Sequence, residues 1–334
     1  MNDFIKKMTE RAKENPKKVA FPESYNVDVL KTAEQVVATG IGYPVLLGKK
    51  EEIEGVAKEN GICTEGFEYY DNTVEENRLQ LAEEYTAQYD DFSAKAVARK
   101  SKSALRCAMF LLKLGKTDCV ASGKETSTGD VIFEAMSIVG MQEGVESVSS
   151  LGIADIPGFE GPQGTMLGLA DCAITAQPDA KDLAGIAISS ADTVKKLLGW
   201  EPRVAMLSFS TCGSAEHESL EVVRESVEIV KNTRPDIKID GEFQLDSAII
   251  PAVAAHKVKR ESEVAGKANV LIFPNLHAGN IGVKLIQIFG KANAYGPVLQ
   301  GFARPVCDFS RSAPVDEMLG NVAMLVIRAG AEEE

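Results

Sequence analysis

The sequence predicts an α/β protein whose parallel sheets are covered by helices on both faces. Short β-branched or apolar runs alternate with longer amphipathic segments along most of the 334 residues. Nearly continuous apolar strands separated by helical segments indicate parallel pairing, because such strands are buried on both faces. The length is large for one compact domain and suits two.

Six strands and six helices are predicted. The predicted strands are KVAFPE (18–23), YPVLLG (43–48), DCVASG (118–123), RVAMLSFS (203–210), IKIDGEF (237–243) and ANVLIFP (268–274). The predicted helices are VDVLKTAEQVVATG (27–40, ending at Gly40), KEEIEGVAKENG (50–61), SALRCAMFLLKLGKT (103–117), ESLEVVRESVEIVKN (218–232), NIGVKLIQIFGK (280–291) and DEMLGNVAMLVIRAG (316–330).

The stretch MQEGVESVSSLGIADIPGFEGPQGT (141–165) differs in character from what precedes it, because it is rich in Gly, Pro and Ser. Such composition is typical of a connection between domains. We therefore expect domain 1 to comprise residues 1–145 plus 316–334, and domain 2 to comprise residues 146–315.

Composition and charge argue against several classes of function. The net charge of −13 disfavours nucleic acid or an anionic membrane as a partner, because both need a basic surface. The six cysteines form no CxxC pair and have no adjacent histidine, so neither zinc nor a disulfide framework fits their spacing. No signal peptide or membrane span is recognisable. We expect a cytoplasmic enzyme with reduced thiols and no metal.

Three polar loops follow predicted strands, where ligands of open parallel sheets bind, and a fourth polar segment lies near the end of the chain. They are SGKETSTGD (122–130), SFSTCGSAEH (208–217), FPNLHAGN (273–280) and CDFSRS (307–312). Together they predict one polar site for an anion. The first loop fits either a nest of backbone N–H groups or a helix N-cap cluster, and its residues alone do not separate these readings.

For several other polar residues, a structural role is at least as well supported by the sequence as a chemical role. Cys212 has no basic partner nearby in sequence, so a structural role is favoured over a nucleophile. His217 and His277 are expected to be polar loop residues. The segment IDGEFQLD (239–246) places carboxylates at alternating positions, which fits either Mg²⁺ binding or a polar lining between domains.

The segment DFSRSAPVDE (308–317) is the strongest candidate for chemistry. Ser310 and Arg311 are suited to binding an anion, and Asp316 and Glu317 supply carboxylates just beyond Pro314. The same ten residues also fit a capped helix start with acidic residues in its first turn.

These motifs resemble the phosphate acetyl/butyryltransferase family over essentially the whole chain. The matching segments are ERAKENPKKVAFPE, VAMLSFSTCGSA, IDGEFQLDSAIIPAVAAHK, VAGKANVLIFPNLHAGNIGVKLIQ and AYGPVLQGFARPVCDFSR. The segments LGLADCAITAQPDAKDLAGIAISSADT and EPRVAMLSFS look most like the ethanolamine-utilisation type of phosphotransacetylase.

The resemblance implies two α/β domains of the isocitrate/isopropylmalate dehydrogenase-like kind, with an active-site cleft between them, and a homodimer. It also implies transfer of an acyl group between coenzyme A, a co-substrate, and orthophosphate. No metal takes part and no cofactor stays bound. A bacterial-type cytoplasmic location is expected, with association with a microcompartment left open.

The resemblance also implies roles for individual residues. Arg311 matches the family's phosphate clamp, and Ser310 would hydrogen-bond the carbonyl or the thiol. Glu317 stands seven residues after Ser310, at the place of the family's catalytic aspartate, and Asp316 is the alternative base. The substrate-binding residues implied are Ser127, Thr128, Ser210, Thr211 and Asn280.

The chain departs from the family at positions where arginines are usual. Asp28, Phe133 and Ile288 stand at three of them, and no arginine occurs between Arg78 and Arg99. Lys124 and Arg106 are candidates to compensate, although lysine lacks the fork geometry of arginine. Three functions therefore stay open: a phosphotransacylase, an acyltransferase with a different thioester partner, and a catalytically silent regulatory paralogue.

Overall fold

The structure is a computed structural model that describes residues 3–331. Its eleven strands in this range are β1 (Lys17–Phe21), β2 (Gly42–Leu47), β3 (Glu68–Tyr70), β4 (Cys119–Ser122), β5 (Ser149–Asp155), β6 (Met166–Ala170), β7 (Arg203–Leu207), β8 (Lys238–Phe243), β9 (Val270–Ile272), β10 (Asn293–Gln300) and β11 (Val306–Asp308).

The helices alternate with these strands for most of the chain. Those in the described range are α1 (Asp3–Ala12), α2 (Val27–Thr39), α3 (Lys50–Glu59), α4 (Glu75–Thr86), α5 (Ala94–Lys100), α6 (Ala104–Lys113), α7 (Thr128–Glu134) continued by a π-helical segment (Ala135–Val139), α8 (Ala180–Leu198), α9 (Glu218–Thr233), α10 (Leu245–Ile249), α11 (Pro251–Lys257), α12 (Leu276–Ile288) and α13 (Val315–Gly330).

The chain forms two units. Unit 1 contains the residues up to Gly140 and those from Phe302 onward, and unit 2 is Met141–Gly301. The sequence predicted that domain 2 begins at residue 146 and that the chain re-enters domain 1 at residue 316. In the structure the chain re-enters unit 1 at residue 302, fourteen residues earlier. The reason is that β11 lies in the returning segment and pairs in parallel with β4 of unit 1. At the other crossing, the Gln142 N–H donates to the Gly301 carbonyl, 2.8 Å away, which closes unit 2.

Unit 1 contains a five-stranded sheet in the order β11-β4-β1-β2-β3. Every neighbouring pair in it is parallel. Helix α2 begins where the Asn26 side chain accepts the N–H groups of Asp28 and Val29, and it ends at Gly40 in the left-handed region at φ 73°. The predicted helix end at Gly40 is confirmed, since glycine takes this conformation without steric cost.

Unit 2 contains a six-stranded sheet in the order β10-β5-β6-β9-β7-β8. The pairs among β6, β9, β7 and β8 are parallel, whereas β5 runs antiparallel to both β6 and β10. Alternate residues of β7 enter two different apolar clusters, Val204 and Met206 on one side and Ala205 and Leu207 on the other. The predicted α/β architecture of mainly parallel sheets covered by helices is confirmed, and an isocitrate dehydrogenase-like comparison is compatible with it.

Six elements of unit 2 have no counterpart in the sequence predictions, namely β5, β6, β10, α8, α10 and α11. Strand β5 lies within the stretch 141–165, where Gly, Pro and Ser pointed to a connection. Helix α8 has a capping box of Asp179 and Asp182, and it is buried on nearly every face. Its charged residues lie in its first turn and in its last two turns, and the turns between them are buried.

Candidate active site

In unit 1, the carboxyl ends of three strands meet at one edge of the sheet, because β11, β4 and β1 are adjacent and parallel. Ligands of open α/β sheets bind at such edges. The segments that follow these strands bring Glu23, the loop 123–127 and the loop 309–314 to this edge. The predicted site residues in unit 1 are Ser127, Thr128, Ser310, Arg311, Asp316 and Glu317.

Ser310 and Arg311 are exposed on the loop between β11 and α13. The Ser310 hydroxyl lies 3.1 Å from the Ser312 hydroxyl, and the Ser310 carbonyl accepts the Ala313 N–H at 2.9 Å. Within residues 3–331, the Arg311 guanidinium has no carboxylate partner within salt-bridge distance. Its five N–H donors therefore face solvent and suit a planar or tetrahedral anion.

The last helix begins immediately after this loop. Pro314 is the N-cap of α13, and Asp316 and Glu317 lie in its first turn. Both carboxylate side chains belong to exposed residues. The predicted helix start in DFSRSAPVDE is confirmed, although no side chain caps it. This start is compatible with a chemical role because the Glu317 carboxylate is accessible to solvent.

Thr128 connects α7 to the end of β11. Its hydroxyl donates to Asp308 Oδ2 at 2.6 Å. The other oxygen, Asp308 Oδ1, is buried and has no hydrogen-bond partner among the described residues. Burial raises the pKa of Asp308, and the Thr128 hydrogen bond and the Arg311 charge only partly offset this. Thr128 thus donates a hydrogen bond to the half-buried carboxylate of Asp308, which lies two residues before Ser310.

The loop SGKETSTGD contains both a helix N-cap and a nest of backbone N–H groups. The anion bound in the nest was not predicted. Ser127 is the N-cap of α7, and its Oγ accepts the Asp130 N–H at 3.1 Å. The preceding N–H groups, from Gly123 to Thr126, converge on a carboxylate of the protein itself, that of Glu23. The nest is therefore filled internally and is not open to an external phosphate.

The two cations expected to compensate for missing arginines are both paired. The Lys124 side chain is 9% exposed, and its Nζ lies 3.1 Å from Asp28 Oδ2. Arg106 lies 2.7 Å from the buried Glu134 carboxylate. The resemblance implied an arginine at the position of Asp28, whose carboxylate in this chain neutralises Lys124. The expected compensation is not seen.

In unit 2, Ser210 and Thr211 lie on the loop after β7 but are buried. The Ser210 hydroxyl donates to Glu242 Oε1 at 2.8 Å, and it also accepts the Ala215 N–H at 3.2 Å. The Thr211 hydroxyl accepts the Gln244 N–H at 3.0 Å. In this structure both hydroxyls hold the loop together, and the substrate-binding role that the resemblance implied for them stays a prediction.

The carboxylates of the β8 segment are paired with arginines. Arg260 forms two hydrogen bonds of 2.7 Å with Asp240. Burial alone would raise the pKa of Glu242, but hydrogen bonds from Arg224, Gly213 and Ser210 outweigh it and lower the pKa to about 2. Each carboxylate already has a full cationic partner, so this pairing disfavours the Mg²⁺ reading of IDGEFQLD.

Cys212 and His217, on the same loop, have structural positions. Cys212 has a left-handed backbone at φ 48°. Burial raises the pKa of its thiol despite the nearby Arg260, which disfavours a nucleophilic thiolate. His217 is the N-cap of α9, where its Nδ1 accepts the Ser219 N–H at 3.2 Å. This position agrees with the reading of His217 as a polar loop residue.

Asn280 lies in the second turn of α12 and is exposed. Its Nδ2 donates to the Cys172 carbonyl at 3.2 Å. The neighbouring Gly279 is packed so closely that a Cβ would collide with the Asp171 carbonyl. Asn280 is therefore held against the loop after β6 while its amide oxygen stays available for a ligand.

Unit 2 also contains a cavity of about 890 Å³ at the carboxyl ends of β7 and β9. Its walls are largely apolar, with Leu207, Phe209, Leu245 and Phe273 among them, and Asn275 at the start of α12 adds a polar group. A mostly apolar cavity with few polar groups is typical of a small-molecule site.

The sequence analysis did not single out two carboxylates of unit 1, Glu23 and Asp308. Asp308 is the last residue of β11 and Glu23 follows the end of β1 by two residues, and this position at a strand end is the one local signal that could have pointed to them. Their partners lie about a hundred or more positions away in sequence, at Gly123–Thr126 and at Thr128, so no local pattern identifies those contacts.

Parallel α/β sheets with polar loops at their carboxyl ends, and an exposed guanidinium on one of them, are typical of enzymes that act on small anionic substrates. The family model described as Phosphate acetyl/butaryl transferase matches residues 3–326, and the chain belongs to this family. The resemblance inferred from the motifs is thereby confirmed.

Individual relatives agree over the full length. A phosphate acetyltransferase of Thermoanaerobacterium thermosaccharolyticum is 42% identical, over 98% of this chain and 99% of the relative. The solved structure of the EutD phosphotransacetylase from Staphylococcus aureus is 31% identical with a TM-score of 0.85, covering 97% of this chain and 99% of that one. A phosphotransacetylase from Streptococcus pyogenes is 30% identical with a TM-score of 0.87, covering all of both chains.

Proposed function

We propose that the chain is an acyltransferase that moves an acetyl group, or a short-chain homologue, between coenzyme A and orthophosphate to form acyl phosphate. The observation that carries this proposal is its similarity to relatives named phosphate acetyltransferase along 98% of its length. The exposed Arg311, which forms no ion pair with any residue of 3–331, supports it, because the reaction needs a cation for a phosphate group.

The reaction places specific demands on the loop of Ser310 and Arg311. When acyl phosphate is consumed, the thiol of coenzyme A gives up its proton and its sulfur bonds to the carbonyl carbon. The bond from that carbon to the phosphate oxygen then breaks, and phosphate leaves with the electron pair. Arg311 clamps the phosphate, and Ser310 hydrogen-bonds the carbonyl oxygen or the thiol. One well-placed donor contributes roughly 3 kcal/mol to such a step.

A carboxylate base helps to remove the thiol proton, since thiols are mostly protonated near neutral pH. Glu317 is the proposed base, and Asp316 is the alternative. Both stand in the first turn of α13, where the helix dipole stabilises a negative charge. The exposed Glu317 needs no local unfolding to reach a substrate.

A second function is favoured by one observation. Phe133 and Ile288, which stand at family arginine positions, are 63% and 69% exposed, and the expected substitutes Lys124 and Arg106 are neutralised. Fewer free cations favour a thioester partner that is less anionic than free coenzyme A. A carrier-bound or enzyme-bound thioester is this alternative, and a silent regulatory paralogue is the weaker one because Arg311 is retained.

The partner proposed for the chain is a second copy of itself. Ile281, Leu285, Ile288 and Phe289 follow helical spacing along α12 and are 49–79% exposed, which makes an apolar stripe that water disfavours. Sedimentation of the wild type and of Leu285→Glu tests the dimer, and an unchanged mass for the variant would refute this surface.

Among the described residues, no helix combines the length and apolar character needed to cross a membrane.

The assay for the proposed function follows free thiol as coenzyme A is consumed with acetyl, propionyl and butyryl phosphates. We expect turnover with at least one of them, dependent on added coenzyme A. No turnover with any of the three would refute the phosphotransacylase. Glu317→Gln and Asp316→Asn, made separately, then identify the base. If both variants keep their activity, neither residue is the base.

A further inference from the structure

The Glu23 carboxylate of unit 1 is buried and is surrounded by backbone N–H groups of a single loop. Glu23 Oε1 accepts the N–H groups of Gly123, Glu125 and Thr126 at 3.3, 3.0 and 2.8 Å, and Oε2 accepts that of Lys124 at 2.9 Å. Converging N–H groups of this kind commonly bind an external anion. Here the anion is a side chain from the end of the adjacent strand β1.

The loop that Glu23 holds also contacts the end of β11 directly. It continues into Thr128, whose hydroxyl donates to Asp308 Oδ2 at 2.6 Å. At its start, Gly123 has φ 105°, and a Cβ there would collide with Asp308 Oδ1 and the Phe309 N–H. Loop 123–128 therefore touches the residues just before Ser310 at both of its ends.

A further contact lies on the far side of the Ser310–Arg311 loop. The Lys124 Nζ donates to the Ala313 carbonyl at 2.8 Å, and the Lys124 side chain is nearly buried. Residues 308 and 313 are thus both attached to loop 123–128, with Ser310 and Arg311 between them. The position of the exposed guanidinium depends on this loop although Arg311 itself makes no ion pair with the described residues.

We propose that Glu23 is a positioning residue, whose carboxylate fixes loop 123–128 and thereby the segment 308–313 that presents Ser310 and Arg311. The inference rests on the proposed function for its effect on turnover. Its structural part, the coupling of the two loops through one carboxylate, is independent of which reaction the chain catalyses.

The electrostatics of Asp308 agree with this coupling. Burial raises the pKa of Asp308, and the nearby Glu23 charge raises it further. Two carboxylates are therefore held at the same sheet edge, although their charges repel. Hydrogen bonds from the loop amides and from Thr128 offset this repulsion.

The test uses full-length Glu23→Ala and Glu23→Gln, each with and without sodium formate, a free carboxylate that fits the vacated nest. We expect kcat of Glu23→Ala to fall on the order of 10²-fold, the loss that follows misplacement of a catalytic group by about 1 Å, with a smaller change in KM. Formate should restore part of kcat. Glu23→Gln should be intermediate, because its NH₂ would face the Lys124 N–H. A kcat of Glu23→Ala within twofold of wild type would overturn the proposal.

The control is Asp118→Asn, at the opposite end of β4. Its carboxylate also accepts a backbone N–H, that of Lys18 at 2.7 Å, but it lies far along the strand from the loops. This variant should lose stability without losing kcat, and an equal loss of kcat would show that Glu23 acts only through general stability.

Hydrogen exchange separates this inference from the proposed function. In Glu23→Ala, the amides of 123–126 and of 308–313 should both exchange faster, and formate should slow both. Faster exchange in the first segment alone would refute the coupling. Wild type without turnover would refute the proposed function, and the exchange measurement would still decide the coupling.

Discussion

Arg311 of unit 1 and two arginines of unit 2 stand in opposite situations. In unit 1, Arg311 is exposed and has no carboxylate partner in the part of the chain that the structure describes. In unit 2, Arg224 and Arg260 are bound to the buried carboxylates Glu242 and Asp240. Arg311 therefore presents its guanidinium to solvent, whereas Arg224 and Arg260 neutralise buried carboxylates of β8.

The difference shows that the presence of charged residues near a loop does not by itself define an anion site. A buried carboxylate must be paired, because leaving it unpaired costs several kcal/mol, and the pair then has little attraction left for a ligand. The Arg224–Glu242 pair stabilises the loop after β7. The Arg311 guanidinium forms no such pair with a described residue and stays available for a ligand.

The largest effect should come from Arg311. We expect Arg311→Ala to lower kcat/KM about 10²- to 10³-fold, the effect of removing one strong donor from a developing charge. Arg311→Lys should fall in between, because lysine keeps the charge but loses the bidentate fork. Steady-state kinetics with varied acyl phosphate measure both values.

The matched control is Arg99→Ala, an exposed arginine of α5. It should leave kcat/KM unchanged. Wild-type kinetics in Arg311→Ala would remove Arg311 from the site and with it the contrast between the two units.

A change at Glu242 should act mainly on stability. Glu242→Gln is expected to lower the free energy of unfolding at pH 7 by about 2 kcal/mol, less than for a fully buried pair because Arg224 is partly exposed. The folded-state pKa is about 2, against an ordinary value of 4.5. The stabilisation is therefore complete above pH 4.5 and is lost as the pH falls towards 2.

Urea unfolding of wild type and variant between pH 7 and pH 2 tests this sign. The difference in unfolding free energy should shrink as the solution becomes acidic. A difference that stays constant or grows with acidity would show that the Arg224–Glu242 pair does not depress the pKa of Glu242.

The smallest effect should follow from adding a cation to unit 1. Phe133→Arg, at an exposed position of α7, should lower KM for coenzyme A by about two- to fivefold, as expected for an exposed charge interaction worth up to about 1 kcal/mol. Raising the ionic strength should abolish the gain. Phe133→Gln is the control for loss of the ring, and an equal KM in both variants would show that a charge here has no effect.

Half of the helices and strands in the described range were predicted from local patterns. The helix ending at Gly40, the strands next to the polar loops and the helix from Val315 were recognised from patterns of a few residues, although the parallel strands themselves pair with distant segments. Strand β5 was missed because the stretch around it is rich in Gly, Pro and Ser, which is typical of a connection. Helix α8 was missed although the charged residues near its two ends leave it amphipathic.

The site was predictable only in part, for a related reason. Ser127 as a helix cap and Glu317 in a first helical turn are local features, and the structure has both. The burial of Ser210 and Thr211 depends on Glu242 and Gln244, which lie more than thirty positions away. Hydroxyl-rich loops look alike in sequence whether their hydroxyls face solvent or the interior.

The sequence by itself determined the α/β class, the family and the choice of Ser310 and Arg311 as candidates, since these depend on short motifs and local periodicity. The tertiary structure alone decided which charges are free. Glu23 fills the nest of 123–126, Asp28 pairs with Lys124, and Arg311 keeps its donors. Such pairing is set by strand order and register, which bring together residues that are about a hundred positions apart.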